Sequence, residues 1–173
     1  MLNLHSRRRP IPVATIREGE FLESVLPVQA FAHLTTLHDV SQYALGFAFR
    51  RWIDMVQRHH RLTLGWIQTM ELQPATHIHA AIVAAAPLDC DIAARMWREQ
   101  VAPNYCDAAQ VKSFERGLCG LAYVMKELGN DSDAIRFSEN ITAFVQTNDR
   151  VTIPANRQWR RIQAQIRCHQ TSI

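Results

Sequence analysis

The chain has 173 residues, 47% of them hydrophobic and 20% charged, which suits one folded domain and excludes an intrinsically disordered chain. No apolar run approaches the roughly 20 residues that a membrane helix needs. The formal net charge is +3, and lysine occurs only at Lys112 and Lys126, so the positive charge is nearly all arginine, whose planar fork matches phosphate oxygens.

Residues 1–29 hold Arg7, Arg8 and Arg9, then Pro10, Pro12 and Pro27, and read as an N-terminal arm. They lack the apolar stretch and cleavage site of a secretory leader. Cys90, Cys106, Cys119 and Cys168 form no Cys-x-x-Cys pair, which argues against a zinc ribbon. Both features predict a cytoplasmic protein with reduced thiols.

Residues 30–37, rich in aromatic residues and threonine, predict a strand. Ser41 offers helix-capping chemistry, and Leu45, Phe49, Trp52 and Val56 recur at helical spacing as far as His60. Residues 63–72 and 76–84 predict two strands of a hairpin around Pro74. Pro87 is expected to open a helix that runs to Val101. A strand over 106–114 and a helix over 116–128 follow. Residues 131–173 read as a basic C-terminal segment packed on or extending from the domain, with a short helix within 155–167. No acidic residue follows Asp149, whereas Arg150, Arg157, Arg160, Arg161 and Arg167 do. Such a tail suits a polyanion partner or a solvated surface equally. The element order predicts an α+β fold of ferredoxin-like split β-α-β type. Its antiparallel sheet would carry helices on one face and leave the other face open for a ligand.

The sharpest local feature is His77-Ile78-His79. Side chains alternate along a strand, so both imidazoles point the same way, about 7 Å apart along the chain. If Leu72 pairs with Thr76, Glu71 falls beside His77 on the same face. Two imidazoles and a carboxylate can hold a divalent cation from one side, with Mn²⁺ or Mg²⁺ as the expected ion. A one-residue slip would turn Glu71 away. His33 is a strand-end residue that could face the sheet's open side, with a structural role as the expectation. The second feature is Tyr123 and Lys126, three residues apart and so on one helix face. Phenols have a pKa of about 10 in isolation, so a tyrosine nucleophile needs positive charge nearby.

These residues resemble the HUH endonucleases, specifically the single-tyrosine initiators of rolling-circle replication. The resemblance covers residues 30–130. It rests on Leu34-Thr35-Thr36-Leu37, on His77-Ile78-His79 with Glu71 on the neighbouring strand, and on Tyr123 followed by Lys126. Glu127 stands where the related insertion-sequence transposases have glutamine, which favours the initiator branch. The resemblance implies sequence-specific nicking and rejoining of single-stranded DNA at an origin hairpin. Tyr123 would form a 5′-phosphotyrosine link, aided by Lys126, and Glu71, His77 and His79 would hold the metal. Arg7, Arg8, Arg9, Arg50, Arg51, Arg157, Arg160 and Arg161 would contact phosphates. No Gly-x-x-x-x-Gly-Lys loop is present, so unwinding would fall to a host helicase. No membrane partner is expected, and a monomer or a dimer would serve. The alternative is a non-catalytic DNA- or protein-binding module on the same scaffold, acting as a repressor or as an inhibitor of a host factor.

Overall fold

The computed structural model describes residues 13–36, 38–71, 76–101, 108–118, 120–125 and 135–145. Arg7, Arg8, Arg9, Lys126, Arg157, Arg160, Arg161 and the helix expected within 155–167 lie outside the described residues. Strands β1 (Val28–Thr35), β2 (Gly65–Glu71), β3 (His77–Val83), β4 (Ala109–Ser113) and β5 (Ile135–Phe137) form one antiparallel sheet in the order β4-β1-β3-β2-β5. Helices α1 (Val13–Val25), α2 (Gln42–His60), α3 (Cys90–Val101) and α4 (Gly120–Val124) complete the α+β fold, with a 3-10 turn at Ile141–Phe144. The first four strands have the ferredoxin-like order. Helix α2 crosses from β1 to β2, which lies two positions away with β3 between them.

One face of the sheet is an apolar layer interrupted in β2 by the buried Gln68. Even-numbered residues of the central strands (Ala30, Ala32, Leu34, Met70, Ile78, Ala80, Ile82) pack with Leu45, Phe49, Trp52, Val56 and Trp97 of α2 and α3. Helix α2 forms where its spacing predicts. The Ser41 hydroxyl accepts from the Ala44 N–H at 3.2 Å, and Arg61 ends the helix in the left-handed region at φ 55°. Two indoles satisfy their N–H groups within this layer. Trp52 donates to the Ala93 carbonyl and Trp97 to the Thr35 carbonyl, each at 2.8 Å. The second bond ties α3 to the last residue of β1. Helix α3 starts at Cys90 rather than at Pro87, because Asp89 is the cap: its carboxylate accepts from the Ile92 N–H at 3.0 Å.

The opposite face departs from the expected open surface. Helices α1 and α4 cover one part of it, where Leu22, Val25, Leu26, Leu121, Val124 and Met125 bury Ile67, Ala81 and Val83. The physical reason lies in β3, which is apolar on both sides through its second half and so must be covered twice. Helix α1 also lies within the segment read as an arm. Helix α4 is described only from Gly120, four residues later than expected, after Gly117 at φ 82°. Strand β5 and the 3-10 turn extend the sheet beyond β2 through Ser138, whose hydroxyl accepts from the Trp66 N–H at 3.0 Å. No helix among the described residues is long and apolar enough to cross a membrane.

Candidate metal centre beside a tyrosine

The uncovered part of this second face collects imidazoles from two central strands. The β2–β3 hairpin has the register that its turn predicts, with Glu71 opposite His77 and Thr69 opposite His79. Ile78 points the other way and is fully buried in the apolar layer. On the far side of β3, β1 places His33 opposite His79 and Thr35 opposite His77. The ligating atoms of His33, His77 and His79 all lie within 4.8 Å of one another, a spacing that could hold a metal ion. The His33 and His79 rings stack at 4.7 Å, and His77 stands edge-on to both. Glu71 Oε1 lies 3.3 Å from Nε2 of His79 and 3.6 Å from Nε2 of His77.

His33 is the residue that sequence reasoning undervalued. Its signal was the parity of β1: Ala30, Ala32 and Leu34 face the helices, so His33 faces the other way. That parity became decisive only with the β1–β3 register, a pairing of residues far apart in the chain.

The surroundings suit a cation. Burial, then the neighbouring His79 and His77, push the His33 pKa down to about 4, opposed by Glu71. His33 is therefore neutral at physiological pH, with a lone pair available for a metal. The hydroxyls of Thr69 and Thr35 flank the imidazoles, and neither Oγ1 has a hydrogen-bond partner among the described residues. Orphaned buried hydroxyls beside three imidazoles and a carboxylate fit a centre that takes an ion with attached oxygen ligands.

Helix α4 sets Tyr123 over this cluster. The Tyr123 ring packs perpendicular to that of His79, with centroids 4.8 Å apart. A helix of five residues cannot hold a ring in place unaided. Leu121, Val124 and Met125 anchor it below, and α1 clamps it from the side. At Gly19 the two helices touch so closely that a Cβ would lie 2.6 Å from the backbone nitrogen of Ala122. Glu23 on α1 accepts from the Gly117 N–H at 3.1 Å, just before α4. The described residues thus bring together Glu71, His77, His79 and Tyr123 and add His33. Arg50 and Arg51 are exposed on α2, across the sheet from this cluster.

No protein-family profile and no curated protein matches the chain. Among solved structures it is similar to the hypothetical protein ORF119 from Sulfolobus islandicus rod-shaped virus 1. The TM-score is 0.43 at 11% identity, over 68% of this chain and 94% of that one, a likeness too slight to assign an activity.

Proposed function

We propose that the protein is a metal-dependent nickase of single-stranded DNA with Tyr123 as its nucleophile. The observation that carries this reading is the Tyr123 ring packed edge-on against His79, inside a cluster that also holds His33, His77 and Glu71. Beside a bound cation such a phenol would have a chemical purpose.

His33, His77, His79 and Glu71 would hold the ion, and their nitrogen-rich set favours Mn²⁺ over Mg²⁺. A bound divalent cation would polarise the scissile phosphate and offset its developing charge. The Tyr123 oxygen attacks phosphorus as its proton departs. A phosphorus–oxygen bond to the tyrosine forms, the bond to the 3′ oxygen breaks, and that oxygen takes a proton to leave as a 3′-hydroxyl. The reverse step rejoins the strand without an external energy source. Lys126 would supply further positive charge to the phenolate. Such a reaction would start rolling-circle replication of a plasmid or phage, with the helicase supplied by the host.

The test is intact-mass measurement of the protein after incubation with Mn²⁺ and a panel of single-stranded oligonucleotides. The expected result is a mass increase equal to one cleavage product, lost in Tyr123→Phe. Cleavage that persists in Tyr123→Phe contradicts the assignment. Tight metal-independent binding with no adduct would favour the non-catalytic module.

A further inference from the structure

Helix α2 carries an outer strip that the fold does not use. Tyr43 is 79% exposed and Phe47 57%, while Leu45, Phe49, Trp52 and Val56 bury the helix's other side. Four residues apart, the two rings share one side of the helix. Arg50 and Arg51 follow within a turn, both exposed. A third arginine reaches the same helix from the edge strand β5: Arg136 Nη1 lies 3.8 Å from where a Cβ on Gly46 would sit. None of the three arginines forms an ion pair among the described residues. Asp54, exposed one turn after Arg50, is the one acidic residue of the helix, and Glu139 lines a cleft with Arg50. The strip therefore combines exposed aromatic rings with more arginines than carboxylates, three against Asp54 and Glu139.

Its position relates it to the candidate centre. Gly46 packs against Met70, whose Cε lies 3.2 Å from the same Cβ position. Met70 and Glu71 are consecutive in β2 and point to opposite faces. The Gly46 end of the strip thus lies across the sheet from the cluster, while Arg50 lies toward the other end of β2, beside Trp66 and Ser138.

We propose that Tyr43, Phe47, Arg50, Arg51 and Arg136 form a second docking surface for single-stranded nucleic acid, separate from the cleft around Tyr123. The rings stack unpaired bases and the guanidiniums pair with phosphates. Duplex DNA fits less well, because its bases already stack on one another. Symmetric pairing of two copies through the strip would bring the arginines of both into one interface, which like-charge repulsion opposes. The surface deepens the nickase reading and rests on its substrate class: it holds the strand at a distance from the scissile phosphate.

The experiment measures binding of fluorescently labelled oligothymidylate by full-length Tyr123→Phe protein without metal, so that nothing is cut. Added to that background, Tyr43→Ala with Phe47→Ala is expected to weaken binding about tenfold or more, from the loss of two stacking platforms. Arg50→Gln with Arg51→Gln is expected to lower the slope of log affinity against log salt by about 1.4, the value for two phosphate contacts on a single strand. Metal affinity by calorimetry and the thermal midpoint should stay unchanged in both, because all four side chains are exposed. If the parent binds no single strand, the surface is overturned, and the nickase reading is decided separately by the covalent adduct. If the parent binds and the variants bind equally well, the surface is overturned and the reading stands. If the aromatic variant turns a dimer into a monomer with binding intact, the strip is a contact between copies and the proposal is overturned.

Discussion

The two faces of the sheet are built from the same three central strands and have opposite characters. Toward α2 and α3 the inward residues are apolar apart from the buried Gln68 of β2, and the two tryptophans satisfy their N–H groups on backbone carbonyls. Toward α1 and α4 the same strands change character along their length. Ile67, Ala81 and Val83 lie under α1 and α4, and then Thr69, Glu71, His77, His79, His33 and Thr35 crowd together within reach of Tyr123. Alternation lets one strand serve both purposes, with Ile78 in the core and its two neighbours in the site. The first face supplies stability, and the second gives up apolar burial for a constellation of polar groups.

That contrast can be broken at several points. The largest loss of stability belongs to the first face. Trp97→Ala removes a fully buried indole and leaves the Thr35 carbonyl without its donor, so urea unfolding should show about 3–5 kcal/mol of destabilisation. Substitutions in the site should do the reverse. His79→Ala should leave the metal-free protein close to its parent in stability but abolish stabilisation by Mn²⁺, which for the parent should reach about 2.7 kcal/mol at a hundredfold excess over Kd. His33→Ala should weaken the same metal-induced shift, because it removes the third imidazole. An unchanged shift would return the site to two histidines and a carboxylate.

Gly19→Ala tests the clamp between α1 and α4. The added methyl meets backbone rather than a flexible side chain, so about 1–3 kcal/mol should be lost. Metal affinity should survive, because every candidate ligand is on a strand, whereas any reaction that depends on Tyr123 should slow.

The pH dependence follows from His33, whose folded pKa of about 4 lies below its unfolded value of about 6.5. Above pH of about 6.5 both states are neutral there and stability is unaffected. As the pH falls toward about 4 the unfolded state binds the proton first, so the metal-free protein loses stability across that window. His33→Gln should flatten that part of the urea-derived stability curve. The smallest expected effect is at the exposed Arg95–Glu99 pair, where Glu99→Gln should change stability by less than about 0.5 kcal/mol.

What could be read from the sequence follows the distance over which each feature is determined. The β2–β3 hairpin and its pairing of Glu71 with His77 depend on a short turn and strict alternation, so local spacing suffices. The ferredoxin-like order followed from the succession of elements. His33 needed a long-range strand pairing. Helix α1 was obscured by Gly19 inside it and prolines around it, and its inward residues Leu22, Val25 and Leu26 show their purpose only against α4. Strand β5 spans three residues, too few for alternation to declare itself. The second apolar cover had one legible sign: β3 is apolar on both faces beyond His79.

The most direct test is anomalous diffraction from crystals grown with Mn²⁺. The account predicts a peak bonded to nitrogen atoms of His33, His77 and His79, with the Tyr123 hydroxyl facing it. A cluster that leaves the ion out, or a peak from which Tyr123 is turned away, would contradict it.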